Sequence, residues 1–265
     1  MIQTQAAVLS ALEVSADAYL LRLEAPEIAL AARPGQFVMA RCGGATVLPR
    51  PFSVHRVGQN SISLLFSVVG TGTRRLADLR RGDSVGIFGP LGNGFTVPDN
   101  ARNLLLVAGG MGIAPLIFLA ETAACEGKKV TIIQGARSKS GLMPVSFTPG
   151  SYEKGIGPGA VHVVNVTEDG SEGQHGLATD FIAAYAGEAD AVYACGPLPM
   201  YRALASACEP FRLPVQVSLE IVMGCGTGVC YGCTIRTAQG LKQVCKDGPV
   251  FDVTAVDWDS LGPGL

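Results

Sequence analysis

The sequence predicts an α/β and β protein in three parts: an N-terminal antiparallel β-barrel over residues 1–98, a Rossmann-like parallel α/β domain over 99–213, and a small C-terminal domain over 214–265. Three observations support this prediction. Six short apolar runs precede any long helix, apolar strands then alternate with helices, and a glycine-rich group of cysteines lies near the end. Short runs separated by turn residues are typical of barrels, whereas β-α-β alternation is typical of a parallel sheet.

The bulk composition excludes several classes of protein. Of the 265 residues, 48% are hydrophobic and 16% are charged, and the net charge is -2, so we expect no nucleic-acid partner. The uncharged stretch 104–120 is interrupted by glycines and Pro115, and it is shorter than the ~20 apolar residues of a membrane span. The first five residues lack the basic and apolar regions of a signal peptide, so we expect no membrane association and a cytoplasmic location.

The first hundred residues are dominated by predicted strands. The runs are rich in Val, Leu, Ile and Phe, and Gly, Pro or Asp separates them. They span 2–14, 18–25, 36–42, 51–57, 61–69 and 83–88. The stretch from Gly89 to Phe95 contains three glycines and a proline, which predicts a loop. Such a loop either turns the chain between two domains or lines a cofactor crevice.

Two motifs of the barrel suit a flavin dinucleotide. In Arg50-Pro51-Phe52-Ser53, the guanidinium can grip a pyrophosphate, the aromatic ring can lie against the isoalloxazine, and the hydroxyl can hydrogen-bond to the flavin ring. In Gly70-Thr71-Gly72-Thr73, the N–H groups that open a short helix over 74–79 and the Thr73 hydroxyl suit a phosphate. The alternatives are an ordinary strand entrance with a surface arginine, and a plain helix cap.

Strands and helices alternate from residue 103 onward. The predicted strands span 103–108, 129–134, 160–166 and 190–194, and the predicted helices span 113–124, 177–186 and 200–209. Pro115 is tolerated because it falls in the first turn of its helix. In such a sheet, the ligand binds at the carboxyl ends of the strands.

The turns at these strand ends favour a nicotinamide dinucleotide. Gly109-Gly110-Met111-Gly112 is not the G-x-G-x-x-G fingerprint, but its glycines allow phosphates to approach the helix start. Cys195-Gly196-Pro197 ends another strand at the same edge, where the thiol could touch a nicotinamide ring or be a small buried apolar group. No acidic residue ends the second strand. Arg137-Ser138-Lys139 follows it instead and could serve a 2′-phosphate, which leaves both NADH and NADPH open.

The cysteines near the end of the chain have the spacing of a [2Fe–2S] site. Cys225, Cys230 and Cys233 lie at C-x4-C-x2-C spacing, and Cys245 follows after eleven intervening residues, which is the plant-type ferredoxin pattern. The glycines among them allow the backbone angles that a loop around a cluster needs. Disulfides are one alternative, although no signal peptide supports them. Structural zinc is the other, although zinc favours two separated short knuckles.

Taken together, these motifs resemble one family closely: the electron-transfer subunit of the NAD-dependent, class 1B dihydroorotate dehydrogenase, within the ferredoxin–NADP reductase superfamily. The resemblance extends from about residue 4 to residue 253. In chain order, the motifs that carry it are Arg50-Pro51-Phe52-Ser53, Gly70-Thr71-Gly72-Thr73, Gly89 to Phe95, Gly109 to Pro115, Cys195-Gly196-Pro197 and the four cysteines.

The resemblance implies three cofactors and a partner. It implies that the barrel binds FAD, the α/β domain binds NAD(H), and the four cysteines ligate [2Fe–2S]. The partner would be an FMN-containing catalytic subunit, in a heterotetramer of two catalytic and two electron-transfer subunits that serves pyrimidine (UMP) synthesis. The implied contacts are Arg50, Pro51, Phe52, Ser53, Ser67, Val68, Val69, Gly72 and Thr73 for FAD, Gly109, Gly110, Gly112, Cys195, Gly196 and Pro197 for NAD(H), and Cys225, Cys230, Cys233 and Cys245 for iron.

Two positions depart from the family pattern. Phe52 stands where the wider superfamily usually has tyrosine, so a phenolic hydroxyl is missing. Ile221-Val222 stands where an acidic residue commonly follows Glu220.

The chemistry of the three carriers predicts their order. Nicotinamides exchange electrons in pairs and a [2Fe–2S] cluster exchanges them singly, so FAD must stand between the two. We expect no catalytic residue for dihydroorotate in this chain, and we expect His55, His162 and His175 to be surface or turn residues. Two rival functions remain: an NAD(P)H–ferredoxin oxidoreductase subunit with another partner, and a zinc-stabilised regulatory module with a degenerate nucleotide fold.

Overall fold

The structure is a computed structural model that describes residues 1–44, 46–145 and 160–262. The predicted domain ranges extend beyond these at residues 45, 146–159 and 263–265, which lie outside the described part. Two seven-stranded sheets and one hairpin make up its strand pairing. The described part has no helix long and apolar enough to cross a membrane.

The first sheet is antiparallel, with the strand order β4-β3-β7-β1-β2-β6-β5. This order leaves β4 and β5 at its edges, so the predicted N-terminal antiparallel domain is confirmed as a half-barrel. The strands are β1 (Ile2–Ser15), β2 (Ala18–Glu24), β3 (Phe37–Ala40), β4 (Arg50–Ser53), β5 (Arg56–Val57), β6 (Ser61–Ser67) and β7 (Ser84–Leu91). Two short helices join them, α1 (Pro26–Ala31) and α2 (Thr71–Ala77).

The predicted loop from Gly89 to Phe95 is wrong in its first part, because β7 continues through Leu91. Pro90 has no N–H to give to a neighbouring strand. It is tolerated because the pairing of β7 with β1 ends at Gly89, opposite Ile2, so no hydrogen bond to β1 is lost. Beyond Leu91, the backbone leaves the sheet as predicted.

The second sheet has the order β11-β10-β9-β8-β12-β13-β16, and every pair in it is parallel except β13 with β16. Its strands are β8 (Asn103–Gly109), β9 (Lys129–Ala136), β10 (Val161–Thr167), β11 (Gln174–His175), β12 (Ala191–Cys195), β13 (Val215–Ser218) and β16 (Val250–Asp252). The accompanying helices are α3 (Ile113–Cys125), α4 (Ile182–Ala186) and α5 (Leu198–Cys208). The predicted parallel α/β region is therefore confirmed.

The helix α3 is buried between this sheet and the half-barrel. Its only charged residue, Glu121, is 2% exposed. Apolar side chains of α3 and β8 form one core, into which Leu65 of the half-barrel also packs. The two sheets therefore share an apolar boundary.

The cysteine segment is an insertion between two paired strands of the second sheet. It leaves after Ser218 of β13 and returns at Val250 of β16, which pairs antiparallel with β13. It contains the hairpin β14 (Thr234–Thr237) and β15 (Gly240–Gln243) and the short helix α6 (Val244–Asp247). The domain boundary that we place at residue 213 stays a prediction, and the sheet itself continues past it through β13 and β16.

The expectation that all three histidines lie in surface or turn positions is wrong for His55. His162 and His175 are exposed, but His55 is 6% exposed and its Nδ1 lies 2.9 Å from the carbonyl oxygen of Ala114 in α3. Burial, with a smaller effect from Arg56, lowers the pKa of His55 to about 3. The ring is therefore neutral near pH 7, and Nδ1–H donates to Ala114.

Candidate functional site

A cavity of about 1240 Å³ lies where the half-barrel, the start of α3 and the cysteine segment meet. The half-barrel contributes β4 and the stretch from Gly70 to Thr73. The turn before α3 contributes Met111, the first turn of α3 contributes Ala114 and Pro115, and residues 218–224 form another wall. Parts that are distant in the sequence thus enclose one space.

The predicted flavin motif lies along this cavity. Arg50, Pro51, Phe52 and Ser53 all line it. Phe52 is 8% exposed and its ring centroid lies 5.3 Å from that of Phe66. Arg50 is exposed, with Nη1 2.8 Å from the carbonyl oxygen of Leu48. Its charge is therefore at the mouth of the cavity, and the aromatic ring is part of the inner wall.

Only some residues of the second group of predicted flavin contacts line the cavity. Ser67, Val69, Gly72 and Thr73 line the cavity, whereas Val68 packs into the half-barrel core instead. The Thr73 hydroxyl accepts hydrogen bonds from the N–H groups of Val69 and Gly70, at 2.9 and 3.2 Å. These bonds stabilise the start of α2. The alternative of a threonine N-cap is wrong in position, because Gly70 is the N-cap and Thr73 is the third residue of the helix.

The two predicted nicotinamide turns lie against each other. A Cβ at Gly112 would overlap the carbonyl group of Cys195, and a Cβ at Gly109 would lie 2.7 Å from Cδ of Pro197. Glycine is therefore required at both positions by close approach. Gly109, Gly110, Gly112 and the Cys195-Gly196-Pro197 turn do not line the cavity, but Met111, within the first turn, does. The roles of these residues stay predictions.

Two residues at this junction, Glu220 and Tyr201, were missed as site residues. The thiol of Cys195 lies 3.7 Å from Oε1 of Glu220, which lines the cavity. The Tyr201 hydroxyl accepts a hydrogen bond from Gly196 N–H at 3.0 Å and donates one to the carbonyl of Ser218 at 2.6 Å. Tyr201 thereby ties the nicotinamide turn to the strand that leads into the cysteine segment. Glu220 could have been found from its place five residues before Cys225, but no local pattern points to Tyr201.

Burial controls the ionisation of this junction. It raises the pKa of Cys195 well above its ordinary value, and the neighbouring Glu220 adds to the rise. Burial also raises the pKa of Tyr201, to which Cys195 and Glu220 contribute further. Both groups are therefore protonated near pH 7, and Cys195 is a weak hydrogen-bond donor rather than a thiolate nucleophile.

The four cysteines of the C-terminal segment come together in two pairs. Cys230 N–H donates to Sγ of Cys225 at 3.5 Å, and Cys245 N–H donates to Sγ of Cys233 at 3.4 Å. Gly228 N–H also reaches Sγ of Cys245 at 3.1 Å. None of these four thiols is in a disulfide. A two-iron core needs two thiolate ligands for each iron, and two pairs of thiols are the donor set that can supply them.

The backbone around the thiols fits a cluster as well. N–H donors from Thr227 and Cys230 outweigh desolvation and lower the pKa of Cys225 to about 6, whereas burial and the Cys233 thiol raise that of Cys245 to about 12. Donors directed at sulfur stabilise a thiolate or a metal-bound sulfur. Within residues 1–44, 46–145 and 160–262, no group of three or more His, Cys, Asp or Glu side chains is arranged to hold a metal ion, so the four thiols form two pairs and not one group. Special backbone angles were expected at Gly224, Gly226, Gly228 and Gly232, and they occur at Gly226 and Gly228 but not at the other two glycines. Tyr231 also has a positive φ, of 59°.

Solved structures support the fold and define the class of protein. A structure of an NADH-dependent reduced ferredoxin-NADP oxidoreductase matches 97% of this chain and 91% of its own, with a TM-score of 0.85 and 30% identity. The ferredoxin reductase of carbazole 1,9a-dioxygenase matches 82% of this chain and 68% of its own, with a TM-score of 0.66, but its 19% identity shows the fold alone. This chain is thus an oxidoreductase of the ferredoxin reductase fold, a class that uses FAD and NAD(P).

Family models and relatives specify the family within that class. The model described as the iron-sulfur cluster binding domain of dihydroorotate dehydrogenase B matches residues 220–257, and the oxidoreductase NAD-binding domain matches residues 106–206. The electron transfer subunit of dihydroorotate dehydrogenase B (NAD(+)) from Caldanaerobacter subterraneus subsp. tengcongensis is 41% identical over 222 residues, covering 82% of this chain and 84% of that protein. Its counterpart from Desulforamulus reducens is 36% identical over 264 residues, covering 96% and 98%. The chain belongs to this family of electron transfer subunits, and the predicted FAD, NAD and [2Fe–2S] cofactors are those of the family's modules.

Proposed function

We propose that this chain passes electrons between NAD(H) and the FMN of a catalytic dihydroorotate dehydrogenase subunit, through FAD and a [2Fe–2S] cluster, in the synthesis of UMP. The observation that carries this proposal is that residues of the flavin motif and of the cysteine segment line the same cavity. Gly224 lines the same cavity as Phe52 and Ser53, and Cys225 is the next residue along the chain. Residues suited to hold a flavin and residues suited to hold a cluster are therefore adjacent.

In such a relay, the protein holds the cofactors in position and shields them from solvent. When bound, nicotinamide supplies electrons in pairs, the cluster takes them singly, and flavin handles both. Phe52 offers an apolar surface for a ring system, and Arg50 at the cavity mouth offers paired donors for a pyrophosphate. The protonated Cys195 thiol lies 3.7 Å from Glu220, which lines the cavity together with Met111 of the nicotinamide turn.

The surface around the cysteine segment supports a protein partner. Cys230 is exposed, and its neighbours Val229 and Tyr231 are 75% and 66% exposed. Large apolar side chains in contact with water favour burial against another protein. We assign the partner as the FMN-containing catalytic subunit, in a heterotetramer of two catalytic and two electron-transfer subunits. The three histidines offer no base for dihydroorotate, since His55 is hydrogen-bonded to a carbonyl and the other two lie at exposed positions of separate strands.

The substitution Cys230→Ser tests the relay. We expect the purified variant to lose the visible and paramagnetic signals of the cluster, because serine replaces a thiolate ligand at an exposed position. Reduction of bound FAD by NADH should persist, while electron transfer to the FMN of the co-purified catalytic subunit should be lost. Cys125→Ser is the matched control, since Cys125 lies at the end of α3, outside the cysteine segment. Normal transfer to FMN in the Cys230→Ser variant, or wild-type protein purified anaerobically without iron, would refute the proposal.

A ferredoxin oxidoreductase subunit is the second candidate, and the structural match at 30% identity to the NADH-dependent reduced ferredoxin-NADP oxidoreductase favours it. That function needs the same cofactor sites and a different partner. The two are distinguished by co-expression with the catalytic subunit: dihydroorotate-dependent reduction of NAD+ supports the first, and ferredoxin-dependent reduction without complex formation supports the second.

A further inference from the structure

The motif from Gly89 to Phe95 does not line the cavity, and its second half is a junction between three parts of the molecule. Two hydrogen bonds tie it to the half-barrel. The carbonyl of Gly92 accepts one from Nε2 of Gln36 at 2.8 Å, and Phe95 N–H donates one to the carbonyl of Pro34 at 2.9 Å. Both partners belong to the segment that leads into β3, the strand that pairs with the flavin motif of β4.

The chain just beyond this motif is tied to the parallel sheet. Thr96 N–H donates to Oε1 of Gln216 in β13 at 2.9 Å, and Nε2 of Gln216 donates back to the carbonyl of Thr96 at 2.6 Å. The Tyr193 hydroxyl of β12 donates to the same carbonyl at 3.1 Å. The backbone is therefore fixed on both sides of Asn93, to the half-barrel before it and to the sheet after it.

Asn93 connects this fixed stretch to the cysteine segment. Its Nδ2 donates to the carbonyl of Asp247 at 2.9 Å and, at a longer 3.4 Å, to that of Lys246. Its backbone N–H donates to the carbonyl of Gly248 at 2.6 Å. The first two carbonyls are the last of α6, and a helix leaves its last carbonyls without partners of its own. The Asn93 amide thus caps the helix that carries Cys245.

The position of α6 determines where the Cys245 thiol lies. Cys245 is 2% exposed, and its N–H donates to Sγ of Cys233 at 3.4 Å. The helix spans only Val244–Asp247, which is too short to be stable by itself. Its position must therefore come from its contacts with the rest of the chain, and the Asn93 bonds are among them.

We propose that Asn93 is a positioning residue for the [2Fe–2S] cluster: its side-chain amide holds α6 at the junction and keeps the Cys245 thiol in place as an iron ligand. This inference rests on the proposed function, in which Cys245 binds iron. The backbones are in close contact at this point, since Gly92 has φ 73° and a Cβ there would lie 2.5 Å from the carbonyl oxygen of Gly248. The amide bonds therefore act across a packed contact between the two segments.

The test measures how fast EDTA removes iron from the complete chain, purified anaerobically with FAD and cluster. Losing a side-chain hydrogen bond shifts an equilibrium by about twofold to tenfold. For Asn93→Ala, the rate of iron loss should rise by about that factor, because iron leaves when the segment around α6 opens locally. Asn93→Asp keeps the size of the side chain and loses the amide donors, so it should lose iron at least as fast. Reduction of FAD by NADH should equal that of the wild type in both variants.

Hydrogen exchange separates a local role from a general loss of stability. In the FAD-loaded chain after iron removal, the backbone amides of residues 244–248 should exchange about twofold to tenfold faster in Asn93→Ala than in the wild type. The amides of β8 and β12 should exchange at wild-type rates. Asn100→Ala is the matched control, because Asn100 is exposed in the turn before β8, further along the same connection. It should match the wild type in iron loss and in exchange.

If both Asn93 variants lose iron at the wild-type rate, the inference is overturned while the proposed function stands. Equally faster exchange throughout both sheets would also overturn it, because Asn93 would then serve general stability. A wild-type chain that contains no iron after anaerobic purification would overturn both.

Discussion

The ion pair between Arg56 and Glu121 links the half-barrel to the α/β sheet and permits a quantitative test. Nε of Arg56, in β5, lies 3.0 Å from Oε1 of Glu121, in α3. The side chains are 24% and 2% exposed, so the carboxylate is removed from water while the guanidinium keeps part of its hydration. One residue earlier, His55 reaches Ala114 near the start of the same helix. The two contacts fix α3 against the strand that follows the flavin motif.

Arg56→Met removes the charge and keeps most of the aliphatic stem. Removing one partner of a buried pair costs ~3–5 kcal/mol, because the buried carboxylate loses the opposite charge beside it. The exposed pair of Arg74 with Asp17, at 3.4 Å and with side chains 50% and 71% exposed, supplies the contrast. Exposed pairs contribute ~0–1 kcal/mol. At ~2–4 °C per kcal/mol, Arg56→Met should lower the midpoint of thermal unfolding by about 6 to 20 °C.

The assay is thermal unfolding of the FAD-loaded chain, followed by circular dichroism and by flavin fluorescence. Arg74→Met is the matched control and should change the midpoint by about 4 °C at most. A shift for Arg56→Met as small as that of the control would refute the reasoning from burial. Release of flavin before loss of secondary structure would show that the boundary between the two sheets opens first.

Two further predictions concern buried polar groups near the cavity. Because burial lowers the pKa of His55 to about 3 and the unfolded side chain titrates near ~6.5, stability should be lost below about pH 6.5 at ~1.4 kcal/mol per pH unit, and His55→Gln should flatten this slope in urea unfolding between about pH 7 and pH 5. Tyr201→Phe leaves Gly196 N–H and the Ser218 carbonyl without their hydroxyl partner. It should cost ~1–3 kcal/mol in urea unfolding and weaken NAD+ binding, whereas an unchanged NAD+ affinity would contradict the positioning role.

Local patterns predicted most of the strands and helices. The run 61–69 became β6 (Ser61–Ser67), and the helix predicted over 113–124 became α3 (Ile113–Cys125). Such elements follow from apolar spacing and turn residues, which the sequence shows directly. The cysteine spacing also indicated which thiols lie near one another, and their role as iron ligands stays a prediction.

The features that the sequence did not predict depend on contacts between distant parts. The pairing of β13 with β16 joins residues on either side of the whole cysteine segment, and no local pattern indicates it. His55 was expected at the surface because only its contact with Ala114, 59 residues away, reveals its burial. Tyr201 is similar, since its partner Ser218 lies in another strand. Val68 was placed beside the flavin, but just past the end of β6 it packs against the half-barrel core, while Ser67 and Val69 line the cavity.

The insertion of the cysteine segment between two paired strands explains how a single chain brings the four cysteines next to the cavity. Because β13 and β16 are neighbours, the segment must begin and end at one edge of the sheet, and its first residues form the cavity wall on the way out. Gly226, with φ 73°, then packs onto β3, where a Cβ would lie 2.6 Å from Cγ of Met39. Met39 pairs with Pro51 in the flavin motif of β4. The thiol loop therefore contacts the strand next to the flavin motif directly, so the separation between the two sites is set by close packing within this chain and not by the docking of its partner.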